Sequence, residues 1–152
     1  MSGADGDRAD NGAYRGGHRE IDHTADLGFE LWAETLEGLY AEGVAALGEI
    51  CYDRAAVRPH ERRELVIEGA NLEERLVRWL QDVYLLLESE LWLARQATDV
   101  ATAGDEVRGV LWGEPFDAQR HTLHTEIKAI TYHGLEIVHD DDRWRTTVVV
   151  DV

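Results

Sequence analysis

The sequence predicts an α+β domain, with two main helices packed on a largely antiparallel sheet. Three observations lead there. Residues 34–50 and 71–92 carry apolar side chains at helical spacing. Residues 28–33 and 62–69 alternate apolar and polar residues as a half-buried strand does. The last third of the chain is a series of β-rich runs separated by turn residues, close enough together to pair as hairpins. A layer of helices over such a sheet is the arrangement that buries both apolar faces.

Each element has its own signal. In "GFELWA", 28–33, Phe29 and Leu31 fall on one face, and Glu30 and Trp32 on the other. In the following helix Thr35 is a capping residue, and Leu36, Leu39, Tyr40, Val44 and Leu47 form its apolar side. Gly38, Gly43 and Gly48 weaken that helix by about 1 kcal/mol each against Ala, and suit close packing. "RRELVIEG", 62–69, points Leu65 and Ile67 inward. The strongest helix is "NLEERLVRWLQDVYLLLESELW": Asn71 and Glu74 have capping-box spacing, and Leu72, Leu76, Trp79, Leu80, Val83, Leu87 and Leu91 make its buried stripe. Residues 97–114 predict a hairpin turning at Ala103-Gly104-Asp105. Residues 121–152 predict a long strand, a break at Gly134, a strand at 135–139, an acidic turn and a final strand.

The 152 residues suit one domain, with residues 1–17 expected as a disordered leader and 18–152 as the folded unit. No apolar stretch reaches the roughly 18 residues of a membrane span, and no apolar signal segment is present at the N-terminus. One cysteine, Cys51, allows neither an internal disulfide nor a cysteine-based zinc site. A cytoplasmic location is expected. Thirty-one acidic residues against fifteen basic ones give a net charge of −16, and only one of the fifteen, Lys128, is a lysine. That balance argues against direct high-affinity nucleic-acid binding and suggests adaptation to high salt.

The chemistry-bearing candidates are few. The knot Asp22-His23-Thr24-Ala25-Asp26 precedes the first predicted strand, and Asp26 taken alone reads first as a turn cap and second as a ligand. The terminal run "RTTVVVDV" carries Asp151 and Val152 at the end of a strongly β-forming strand. Should the strand at residue 29 neighbour this one, Asp26 and Asp151 converge, and two carboxylates with main-chain oxygen suit a hard divalent cation. The cluster "HDDDRW", 139–144, lacks the spacing of a calcium loop and reads as a hairpin turn. Treated as a strand, 121–130 puts His124, Glu126 and Lys128 on one face and His121 and Ile127 on the other. Lys128 is either an edge gatekeeper or a functional ammonium. No phosphate loop, dinucleotide fingerprint or nucleophile elbow is present.

"DHTADLGFELWAETLEGLYAEGVAAL", "GEPFD", "EIKAITYHGLEI" and a terminal "VVVDV", in that order, resemble the archease family over residues 18–152. The resemblance implies an accessory protein, not an enzyme, that assists the tRNA-splicing RNA ligase. It would promote guanylylation of the ligase with GTP and its multiple turnover. It implies a metal site, usually calcium with Mg²⁺ or Mn²⁺ as alternatives, matched here by Asp26, Asp151 and the adjacent Val152. His23 and Lys128 match motif positions without an assigned role. Two other classes stay open on the residues alone: a chaperone-like interaction module and a metal-dependent hydrolase.

Overall fold

Alternation of side chains decides which face of each strand is buried, and two sheets result. The structure is a computed structural model that describes residues 14–23 and 26–152, with the side chains of residues 22 and 23 excepted. In chain order the elements are β1 (Gly16–His23), β2 (Asp26–Ala33), α1 (Leu36–Cys51), β3 (Glu61–Glu68), α2 (Leu72–Glu90), β4 (Trp92–Ala103), β5 (Glu106–Pro115), β6 (Ala129–Thr131), β7 (Val138–Asp140) and β8 (Arg143–Asp151). One sheet has the order β1-β2-β8-β6, with β7 also paired to β8; the other has the order β3-β5-β4. Every pairing between these strands is antiparallel. The expected single sheet is thus two sheets, with the expected antiparallel character.

Helix α1 lies against β1 and β2 of one sheet and against β4 of the other, so it is buried on nearly every side. Thr35 caps it, with its hydroxyl accepting from the Gly38 N–H at 2.9 Å. Gly43 lets α1 approach its neighbours closely: a Cβ there would sit 3.1 Å from Leu80 of α2 and 3.6 Å from Leu31 of β2. Across the same contact the Trp79 indole N–H donates to the Tyr40 carbonyl at 3.0 Å, and the two rings meet edge to face. The Asn71 side chain accepts from the Glu74 N–H at 2.8 Å, and the Glu74 carboxylate turns back to the Ala70 N–H, a close variant of the expected capping box.

Four expectations need correction. The N-terminal boundary is too late: Tyr14 packs into the core and β1 opens at Gly16, while residues 1–13 lie outside the described residues. Leu91 is not in the buried stripe. It takes the left-handed conformation that ends α2 (φ +52°), is half exposed, and hands the chain directly to β4. The long strand expected at 121–131 is only Ala129–Thr131. Residues before it are held by local bonds, His124 N–H to the Cys51 carbonyl and Asp53 N–H to the Thr122 carbonyl, not by a continuous ladder. The strand expected at 135–139 is Val138–Asp140. The acidic turn is as expected, with Asp141 and Asp142 both at positive φ between β7 and β8.

The tightest backbone approach is at Gly113, opposite Ala94 on β4, where a Cβ would fall 1.9 Å from the Leu93 carbonyl oxygen. Backbone cannot move aside as a side-chain tip does. Gly113→Ala should therefore cost about 2–3 kcal/mol or more, read as a lowered urea midpoint with an unchanged m-value; wild-type stability in this variant would contradict the register described for β4 and β5.

Candidate functional site

Strands β2 and β8 pair so that residue numbers sum to a constant: Phe29 faces Val148, and Leu27 faces Val150. Phe29, Leu31, Val148 and Val150 are almost fully buried, so they define the inner face against α1. Residues between them belong to the outer face. Continued by one residue, the register sets Asp26 opposite Asp151 on that outer face. On the far side of Asp26 the strand partner is His23, and on the far side of Asp151 it is Ala129. Asp26 is half-buried, while Asp151 and Val152 are exposed at the sheet end.

Lys128 is not in mid-strand. It immediately precedes β6, is exposed, and its main-chain N–H donates to the Asp151 carbonyl at 2.7 Å. The backbone of Lys128 thus holds the last residue of β8 in place. Thr24 and Ala25 of the opening knot, and the side chains of Asp22 and His23, lie outside the described residues. Among the described residues no group of three or more His, Cys, Asp or Glu side chains could hold a metal. The Asp26–Asp151 pair instead offers two carboxylates with main-chain oxygen beside them. An all-oxygen set completed by water fits Ca²⁺, Mg²⁺ or Mn²⁺ and does not fit a zinc site built on thiolate or imidazole.

Two buried ionic networks support this face, and neither was legible beforehand. In the first, His18 of β1 is enclosed by α1 carboxylates: Nδ1 meets Glu42, and Nε2 lies 2.7 Å from Glu49. Glu42 is fully buried and also accepts from the Tyr14 hydroxyl at 2.9 Å. Burial pulls the His18 imidazole down, but the hydrogen bonds and charges of Glu42 and Glu49 outweigh it, and its pKa is raised from 6.5. Beyond Glu49, Arg54 closes the network at 3.2 Å. In the second, buried Glu114 of the "GEPFD" stretch accepts from Arg120 at 2.6 Å, from the Arg58 N–H at 2.8 Å and from His121 Nε2 at 2.9 Å. Burial pushes the Glu114 carboxyl up, and these donors overcome it and bring it down to about 2. His121 Nδ1 accepts the Asp117 N–H, so the ring donates to Glu114 from Nε2. His121 is a structural clasp on the segment leading to β6. Cys51 is buried, with its thiol pushed up to about 12, and offers no thiolate at neutral pH.

Fold and site define an antiparallel α+β domain with two carboxylates, Asp26 and Asp151, at adjacent strand positions of a sheet end. The Archease protein family (MTH1598/TM1083) matches residues 18–152, and the chain belongs to that family. Protein archease of Methanopyrus kandleri is 40% identical over 136 residues, covering 88% of this chain and 97% of its own. Protein archease of Methanosarcina acetivorans is 31% identical, covering 87% and 93%. The solution structure of protein 1598 of Methanobacterium thermoautotrophicum shares the fold with a TM-score of 0.74 at 24% identity, covering 89% of this chain and 98% of that one. The crystal structure of a Thermotoga maritima archease, described as a possible chaperone, matches with a TM-score of 0.61 at 26% identity, covering 88% and 96%. No helix among the described residues is long and apolar enough to cross a membrane.

The raised His18 pKa fixes the sign of a pH dependence. A group protonated more readily in the fold stabilises it fully below its unfolded value of about 6.5 and loses that contribution as pH rises through the folded value. His18→Gln should lower stability by about 3 kcal/mol near pH 6, by taking the protonated imidazole away from buried Glu42. The gap between wild type and variant, followed by urea unfolding, should narrow as pH rises through the raised folded value; a gap that widens with pH would contradict a charged His18.

Proposed function

We propose that this protein is a non-catalytic activator of the tRNA-splicing RNA ligase, promoting its guanylylation with GTP and its turnover. The observation that supports this reading is the β2–β8 register, which brings Asp26 and Asp151 to adjacent positions at an exposed sheet end. Family membership is in keeping with an accessory role toward another protein. Asp26, Asp151 and the main-chain oxygen of Val152 would hold a divalent cation, with Ca²⁺ the first choice and Mg²⁺ or Mn²⁺ alternatives. When bound, the cation supplies charge neutralisation for phosphate oxygens. The chain's own part is to position the two carboxylates, with the Lys128 main chain fixing the end of β8. His23, opposite Asp26 in the β1–β2 register, and Lys128, bonded through its main chain to Asp151, are functional neighbours of the pair without an assigned role, and the site is expected to work in the cytoplasm. The charge of −16 is in keeping with docking on a basic rim of an RNA-binding enzyme and with a salt-rich setting.

A chaperone-like role is the second reading. It is favoured by the description of the Thermotoga maritima relative as a possible chaperone and by exposed Leu85, Leu123 and Tyr132. It predicts broad suppression of aggregation that does not depend on Asp26.

The deciding experiment is a guanylylation time course of a tRNA-splicing RNA ligase with GTP and a divalent metal. Addition of this protein should accelerate it, and Asp26→Ala or Asp151→Ala should remove at least about 90% of the stimulation, equivalent to about 1.4 kcal/mol, with an unchanged thermal midpoint. Full stimulation by either variant would refute the paired-carboxylate mechanism.

A further inference from the structure

A second feature lies on the same outer sheet face, further along β2 and β8. It is a groove of about 450 Å³, within the size range of small-molecule sites. Arg19 of β1, Glu30 and Trp32 of β2, and Arg143 and Arg145 of β8 line it, with Glu136 on the segment before β7. Asp26 to Glu30 is four residues, so the groove begins about 13 Å from the carboxylate pair. Three of the chain's fourteen arginines converge here, on a molecule whose net charge is −16.

The guanidiniums are positioned. Arg19 pairs with Glu30 across β1 and β2. Arg145 donates to Asp140 at 2.8 Å. The Arg143 guanidinium carbon lies 5.9 Å from the centre of the Trp32 ring. A guanidinium carries five N–H donors in a fixed fork, so Arg19 and Arg145, each on one carboxylate, keep further donors to meet a ligand.

We propose that this groove binds a nucleoside phosphate, with the phosphate on the arginines and the base against Trp32 and Arg143. Charge selects the size of the ligand. A compact anion seated among the arginines lies within about 8 Å of them, inside the salt-screening length, and shares their donors with Glu30 and Asp140. A long polyanion would also run over the acidic remainder of the surface and be repelled. Ring and hydroxyl chemistry select the class. Trp32 and a guanidinium plane offer a stacking surface, and Glu30 and Glu136 accept from the N–H and hydroxyl groups that a nucleoside carries and inorganic phosphate lacks. This site is independent of the Asp26–Asp151 reading and can fail or stand without it.

The test is a titration of the full chain with GMP or AMP, with guanosine, and with inorganic phosphate, by calorimetry and by amide chemical shifts. The expected result is one saturable nucleotide site, with shifts at Gly134, Thr146 and Thr147. Guanosine and phosphate should each bind at least about tenfold more weakly. Arg143→Gln and, as a second variant, Arg19→Gln should each weaken nucleotide binding about tenfold while circular dichroism shows an intact fold. The proposal is overturned by absence of saturation at millimolar nucleotide in low salt, by binding that both variants leave unchanged, by phosphate binding as tightly as nucleotide, or by an acidic peptide or oligonucleotide outcompeting the nucleotide at these residues.

Discussion

The pairing of β2 with β8 governs the rest of the molecule. A strand has a period of two, so a slip of one residue would turn Phe29, Leu31, Val148 and Val150 out of the core and bring Glu30 and Thr147 into it. Four large apolar side chains, each worth about 1.5–3 kcal/mol when buried, resist that slip. The same register fixes which residues lie on the outer face. Core packing on one side of the sheet thus sets the geometry of carboxylates and arginines on the other.

The flanking strands are tied down by charge as well as by ladders. β1 is an edge strand with two glycines at its start, a weak element on propensity alone. His18, seated between Glu42 and Glu49, anchors it to α1 and so holds the strand that ends at His23, opposite Asp26. Glu114, with Arg120 and His121, does the same for the segment that leads to β6. Buried ion pairs are poor sources of net stability, but removing one partner is costly. Their role here is to specify where two otherwise loose segments lie.

Much of this was legible in the sequence where a period was sustained. Phe29 and Leu31 announced β2, Thr35 and Asn71 announced the helix starts, and Gly104-Asp105 announced the β4–β5 turn. Asp26 and Asp151 were named as a pair, conditional on neighbouring strands that the structure then describes. What was missed has physical causes. β1 lacks alternation because His18 is an inward polar residue satisfied by carboxylates 24 and 31 positions away, a partnership invisible to local pattern. Leu91 continued the apolar period of α2 because tertiary context, not sequence, put it in the left-handed conformation. Residues 121–128 alternate like a strand, yet the His121 clasp and a few main-chain bonds to Cys51, Asp53 and Asp151, rather than a continuous ladder, organise them. The arginine groove escaped notice because Arg19, Trp32, Arg143 and Arg145 come together only through the sheet register.

The central claim is that Asp26 and Asp151 form one cation site. Calorimetric titration of the chain with Ca²⁺, repeated with Asp26→Asn and with Asp151→Asn, tests it most directly. The account predicts a single Ca²⁺ per chain in the wild type, lost in each variant separately. Undiminished Ca²⁺ binding in either variant would contradict it.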